Sequence, residues 1–204
     1  MSNSTGTVNF QGRLVTNLSG RHNIMSRVSE NFAKKTEHIS GELLVKRGAR
    51  YENPGSIVLS NGHSSYVISD YDKLMGNNFK SPSDITEKVV NNISKTFVNF
   101  FKALNFETKF VEKNKNLVKS IRSLERTVAK YEAHVKYAIQ NNNDPLIIKR
   151  FTTVLDSYKN KLAKLKKEFA ENKAIFIEGA DKLTKKSPEL ETWRQVVGDI
   201  EEYI

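Results

Sequence analysis

The sequence predicts a mainly α protein of the α+β class: a small N-terminal head with a short antiparallel β-meander, then a long amphipathic helix and an antiparallel coiled-coil helical hairpin. Three observations carry that expectation. Short β-rich runs separated by turn residues are confined to the first 70 positions. After Pro82 neither proline nor glycine occurs until Pro145. Within and beyond that span, apolar residues recur in alternating steps of four and three on both sides of Asn141, Asn142 and Asn143.

Val8, Phe10, Gly12 and Leu14 alternate with polar neighbours and predict a short strand, which Gly12 weakens because it offers no side chain to pack. From Asn23 the period changes. Ile24, Val28, Phe32 and Ile39, with Met25 beside the first, fall on one helical stripe ending near Gly41. Leu43 to Val45, Ile57 to Leu59 and Tyr66 to Ile68 follow, punctuated by Asn53, Pro54, Gly55 and by Asn61, Gly62. They read as a small antiparallel meander over 42–70, with Asn61 and Gly62 favouring a two-residue type I′ turn because both tolerate positive φ.

Residues 76–83 form a linker of glycine, asparagine, serine and proline, and Ser81, Pro82 and Asp84 read as N-cap, first helical position and acidic third position. The helix they open carries an apolar stripe of Ile85, Val89, Ile93, Phe97, Phe100, Phe101 and Leu104, and 105–109 is the expected break. Next, Phe110, Leu117, Ile121, Leu124, Val128, Tyr131, Val135 and Ala138 build a seam interrupted by Asn114. After the asparagine break, with Asp144 as N-cap and Pro145 at the first position, Ile148, Phe151, Leu155, Tyr158, Leu162, Leu165, Phe169 and Phe176 repeat it, interrupted by Asn172. Folding the two helices about the loop pairs positions whose numbers sum to 286, such as Leu124 with Leu162. The same sum pairs Asn114 with Asn172, so two polar exceptions fall in one layer and set the register. The arm from Phe110 to Ala138 is about 42 Å long at the α-helical rise. Beyond Gly179 the chain is expected to become loop-like through Lys185 to Pro188 and to end in a short acidic helix around Trp193, Val196, Val197 and Ile200.

The domain reading is a head at 1–80, an aromatic-rich amphipathic helix at 81–106, the helical hairpin at 107–180 with its turn near 141–145, and an acidic C-terminal tail at 181–204. Charge follows that division. The chain carries a net +10, and residues 107 to 186 hold 19 basic against 10 acidic side chains. Such a surface attracts polyanions or acidic partners whatever their sequence. There is no cysteine, which excludes disulfides, thiolate nucleophiles and sulfur-ligated metals. Without an apolar stretch of signal-peptide or membrane-spanning length, the chain is expected to be neither Sec-secreted nor membrane-spanning, and to reside in the cytoplasm or in a virion. Heavy use of asparagine and lysine goes with AT-rich genomes such as those of many phages and parasites.

Catalytic chemistry finds no foothold. Gly62, His63, Ser64 and Ser65 lack the second glycine of a nucleophile elbow and sit in a turn. Asp70 and Asp72 bracket Tyr71 without the third carboxylate of a calcium loop. His22, His38, His63 and His134 are scattered without metal spacing, Gly41 and Gly48 precede no phosphate-loop lysine, and Glu125 is placed to pair with Lys159 across the seam. No catalytic residue, metal or cofactor is predicted. The candidate nucleic-acid-binding residues are Lys115, Lys119, Arg122, Arg126, Lys130, Lys164 and Lys167, because cations at helical spacing on outward positions can track a phosphate backbone. The same ladder also serves as the solvated face that any such hairpin needs. The candidate partner-binding residues are Phe97, Phe100, Phe101, Leu104 and the lone tryptophan, Trp193, whose first reading is as a plug for a core groove. Together these predict a non-enzymatic structural or adaptor protein that docks on the subunits of a larger assembly, or on itself, through the basic hairpin. The alternative is a DNA- or RNA-binding protein indifferent to sequence.

Overall fold

The computed structural model describes residues 12–16, 18, 22–47, 56–69, 86–198 and 200. It is mainly helical with one N-terminal sheet, as the sequence predicts. In chain order the elements are β1 (Arg13–Thr16), α1 (His22–Lys35), β2 (Glu42–Arg47), β3 (Ile57–Ser60), β4 (Ser65–Ile68), α2 (Glu87–Gln140), α3 (Pro145–Lys186), a 3-10 turn (Pro188–Leu190) and α4 (Glu191–Val196). The chain divides into two compact units. Unit 1 comprises 1–108 and 183–195, and unit 2 comprises 109–182 and 196–204.

In unit 1 the four strands lie in sequence order. The pairs β2–β3 and β3–β4 are antiparallel, which is the expected meander, with Val45 opposite Leu59 and Val58 opposite Val67. Strand β1 joins parallel to β2, Leu14 opposite Leu43, and α1 provides the crossover that a parallel pair requires. One face of the sheet is apolar at every second residue: Leu43, Val45, Ile57 and Leu59 are fully buried, together with Phe32 of α1 and Phe97, Phe101 and Leu104 of α2. Phe32 meets Phe101 with ring centroids 5.4 Å apart, Tyr66 stacks on Phe100 at 5.3 Å, and Ser94 Oγ donates to the Val28 carbonyl at 3.3 Å.

Gly12 is needed for a close approach. Its N–H donates to the Thr36 carbonyl at 3.1 Å, and a Cβ at this position would lie 2.4 Å from Thr36 Oγ1. Helix α1 ends at Lys35 rather than near Gly41, and in the turn that follows the Thr36 carbonyl accepts from the Ile39 N–H at 2.9 Å. The turn after β3 also differs from expectation. It spans four residues, with positive φ at Gly62 (88°) and not at Asn61. The Asn61 carboxamide oxygen instead accepts from the His63 and Ser64 N–H groups at 3.1 and 2.8 Å, and its Nδ2 donates to Asn105 Oδ1 at 2.8 Å and Thr108 Oγ1 at 2.9 Å.

Those last contacts explain why no break falls at 105–109. Asn105 and Thr108, polar residues that suggest a helix end, are held by Asn61, while Thr108 Oγ1 also donates to the Leu104 carbonyl at 2.9 Å. Helix α2 therefore runs unbroken from Glu87 to Gln140. Helix α3 likewise continues past Gly179 to Lys186, where a loop was expected. The expected helix start at Ser81, Pro82 and Asp84, and Val8, Phe10, Ile85 and the pair Asp70 and Asp72, lie outside the described residues. Beyond α3, Leu190 and Trp193 are buried in unit 1; Trp193 Nε1 donates to Glu107 Oε2 at 3.0 Å, and Asn99 Nδ2 donates to Glu189 Oε1 at 2.7 Å.

Unit 2 is built from the later part of α2 and most of α3. The loop between them forms as its residues dictate. Asn142 takes a left-handed φ of 49°, Asn143 N–H returns to the Ala138 carbonyl at 3.0 Å, and Asp144 Oδ1 caps α3 by accepting from Leu146 N–H at 2.8 Å. Contacts between the helices run in opposite chain directions: Phe110 stacks on Phe176 at 4.4 Å, Asn172 Nδ2 donates to Asn114 Oδ1 at 3.0 Å, and Tyr131 meets Tyr158 at 5.3 Å. The asparagine layer and the phenylalanine stack both obey the 286 register.

Candidate partner interface

The seam of unit 2 is closed by the helices' own side chains. Asn114 is fully buried and loses no hydrogen bond: its Nδ2 donates to the Phe110 carbonyl at 2.9 Å, its Oδ1 accepts from Asn172, and Asn172 Oδ1 accepts from Lys113 Nζ at 3.0 Å. Phe110, Val118, Ile121, Val128, Ala138, Leu155 and Phe176 complete the buried strip. On one flank Lys166 pairs with Glu125 at 2.7 Å and Lys159 with Glu132 at 2.8 Å. The expected Glu125–Lys159 pair does not form: Glu125 takes Lys166, one heptad further along α3, and Lys159 takes Glu132, one heptad further along α2. Near the first pair an open cleft of about 660 Å³ is lined by Val118, Ile121, Phe169, Ala170, Ala174 and Ile177, with Arg122 and Lys173 also among its walls.

All seven candidate cations, Lys115, Lys119, Arg122, Arg126, Lys130, Lys164 and Lys167, are exposed. Lys167 approaches Glu171 of its own helix at 4.0 Å, too loosely and in too much water to neutralise it. These side chains belong to one unit and form a charged exterior around the seam. The aromatic candidates end up elsewhere. Phe97, Phe100, Phe101, Leu104 and Trp193 are at most 2% exposed and pack within unit 1, so the reading of them as a partner-binding surface is corrected: they are core. The reason is that their stripe faces the sheet and α1, which the sequence pattern could not place beside it.

His134 lies between aromatic rings, 5.8 Å from Tyr131 and 5.9 Å from Phe151, an arrangement suited to packing rather than ligation. Among the described residues no group of three or more histidine, aspartate or glutamate side chains is placed to hold a metal. No described helix is long and apolar enough to cross a membrane. One feature escaped the sequence reading: Tyr137, Ile139, Leu146 and Ile147 are exposed beside the α2–α3 loop. Its signal was in the run Leu146, Ile147, Ile148, of which the seam uses only Ile148.

Compared with protein-family models, with curated proteins and with solved structures, the chain matches none.

Proposed function

We propose that the chain is a non-enzymatic structural or adaptor protein of a larger assembly, docking through a basic coiled-coil hairpin formed by α2 and α3. One observation supports it above the others. The seam of unit 2 is satisfied internally down to its asparagine layer, so what this unit offers to a partner is its outer, cationic surface. An arm so arranged needs no substrate pocket and recognises an acidic surface. The test is sedimentation velocity of the free protein across salt concentration, beside titrations with DNA and RNA. Association that weakens when Lys119, Arg122 and Arg126 become glutamine is expected.

A second reading rests on the same exposed cations, of which Lys115, Lys119, Arg126, Lys130 and Lys164 make no ion pair among the described residues. It takes the arm as a nucleic-acid-binding face. It predicts that the log-log salt slope of binding falls by roughly one for each phosphate-contacting cation removed. A strictly monomeric protein that binds DNA or RNA at micromolar or tighter strength near physiological salt would replace the first reading with the second.

A further inference from the structure

The exposed large hydrophobic side chains are unevenly distributed. Of eight among the described residues, four stand in the last turn of α2 or the first turn of α3, beside the loop that joins them: Tyr137, Ile139, Leu146 and Ile147. Leu146 and Tyr137 are 69% and 65% exposed, so these are open apolar surfaces and not the rim of the seam. Scattered apolar residues on a surface need no explanation, but a cluster at one end of an element does.

Their directions matter. At about 100° per residue, Tyr137 and Ile139 project from nearly opposite sides of α2, and Leu146 and Ile147 lie about a quarter-turn apart on α3. The apolar groups therefore surround this end of the helix pair instead of forming a stripe. A flat protein surface would cover one side and leave the others wet, whereas a fluid interface closes around all of them. Beside them stand Lys136, Lys149 and Arg150, each exposed and none in an ion pair among the described residues. Two copies meeting at this end would bring those cations against their counterparts, which disfavours a second copy as the occupant.

We propose that the loop end of the α2–α3 pair inserts shallowly into an anionic phospholipid surface. Leu146, Ile147, Ile139 and Tyr137 reach the acyl boundary, and Lys136, Lys149 and Arg150 lie against the headgroup phosphates. The loop's polar groups suit that depth. Asn141 Nδ2 donates to the Tyr137 carbonyl at 2.8 Å and Asp144 Oδ1 accepts from the Leu146 N–H at 2.8 Å, so these two side chains enter the interface with hydrogen bonds already made. This attachment is independent of the docking role proposed above and uses different residues.

The test is co-sedimentation of the full chain with vesicles of phosphatidylcholine alone and of a phosphatidylserine-rich mixture. Binding to the anionic vesicles that weakens with salt is expected, with little binding to the neutral ones. The pair L146D/I147D should weaken binding by about tenfold or more, and so should Y137S/I139S on the other helix, while both leave the melting temperature near that of the unaltered chain. Glutamine at Lys136, Lys149 and Arg150 should weaken it and flatten its salt dependence. Failure to bind anionic vesicles overturns the proposal. So does binding that neither apolar pair affects, which would assign it to the basic outer face, and so does a drop in the sedimenting mass of the free protein with either apolar pair, which would make a second copy the occupant.

Discussion

The two units bury their apolar residues in different ways. In unit 1 a sheet face, α1 and the first part of α2 enclose a core in which Phe32, Leu43, Val45, Ile57, Leu59, Phe97, Phe101 and Leu104 show no exposed surface. Along the seam of unit 2 Leu117, Leu124, Leu162 and Leu165 stay half-buried, and even Ile121 and Val128 keep 8% and 9% of their surface. A core enclosed on all sides gains its stability from close packing and needs no polar group to be unique. A two-helix strip slides more easily, since any shift by a heptad still buries apolar residues, and it is here that a paired polar layer occurs.

That contrast predicts unequal penalties for truncation. Changing Phe101 to alanine should destabilise by about 3 to 5 kcal/mol, because it empties an enclosed site beside Phe32. Leu124→Ala in the half-covered strip should cost roughly 1 to 2 kcal/mol, since water already reaches it and can fill the space. Equal losses in urea denaturation would erase the distinction. Next comes the strand-to-helix contact in unit 1: Gly12→Ala should cost about 1 to 3 kcal/mol by forcing β1 away from Thr36. In a cycle with Thr36→Gly, which removes both the Oγ1 and the Cβ that the new methyl would meet at 2.4 and 2.7 Å, the double variant should lose less than the two singles together. The smallest effect belongs to the flank of unit 2. Glu125 and Lys166 have side chains 44% and 54% exposed, so Glu125→Gln should change stability by no more than about 0.5 kcal/mol, and less in high salt.

Much of this architecture was legible in the chain, and the omissions have physical causes. The meander, the long helices, the loop at 141–144 and the Asn114–Asn172 layer follow from local signals: turn residues, capping residues and apolar period. What could not be read was what tertiary partners do to a local signal. Asn105 and Thr108 look like a helix end, yet Asn61 engages both, so α2 passes through. Asn61 next to Gly62 looks like a type I′ turn, yet the Asn61 side chain caps a longer loop. The stripe from Phe97 to Leu104 was visible as apolar, but its destination depended on a sheet formed some 40 residues earlier in the chain. For the candidate interface, exposure of the seven cations followed from their heptad positions. The apolar cluster at the loop end lies off the four-three period of the seam, so the pattern that reveals the hairpin does not reveal it.

The register of the helix pair underlies both the proposed docking role and the placement of its apolar end, and the Asn114–Asn172 bond is the contact that specifies it. The most direct test is therefore a double-mutant cycle read by chemical denaturation, with Asn114→Leu, Asn172→Leu and both together. Asn114→Leu alone should destabilise by about 1 to 3 kcal/mol, because Asn172 loses its acceptor in a largely buried layer, while the double variant should recover that loss and melt above the single. Size-exclusion chromatography of the double variant should also show slipped or intermolecular pairings, since the layer that forbids them is gone. A double variant whose effect is simply the sum of the two singles would mean that the two side chains do not face each other, and the helix pair would have to be rebuilt in another register.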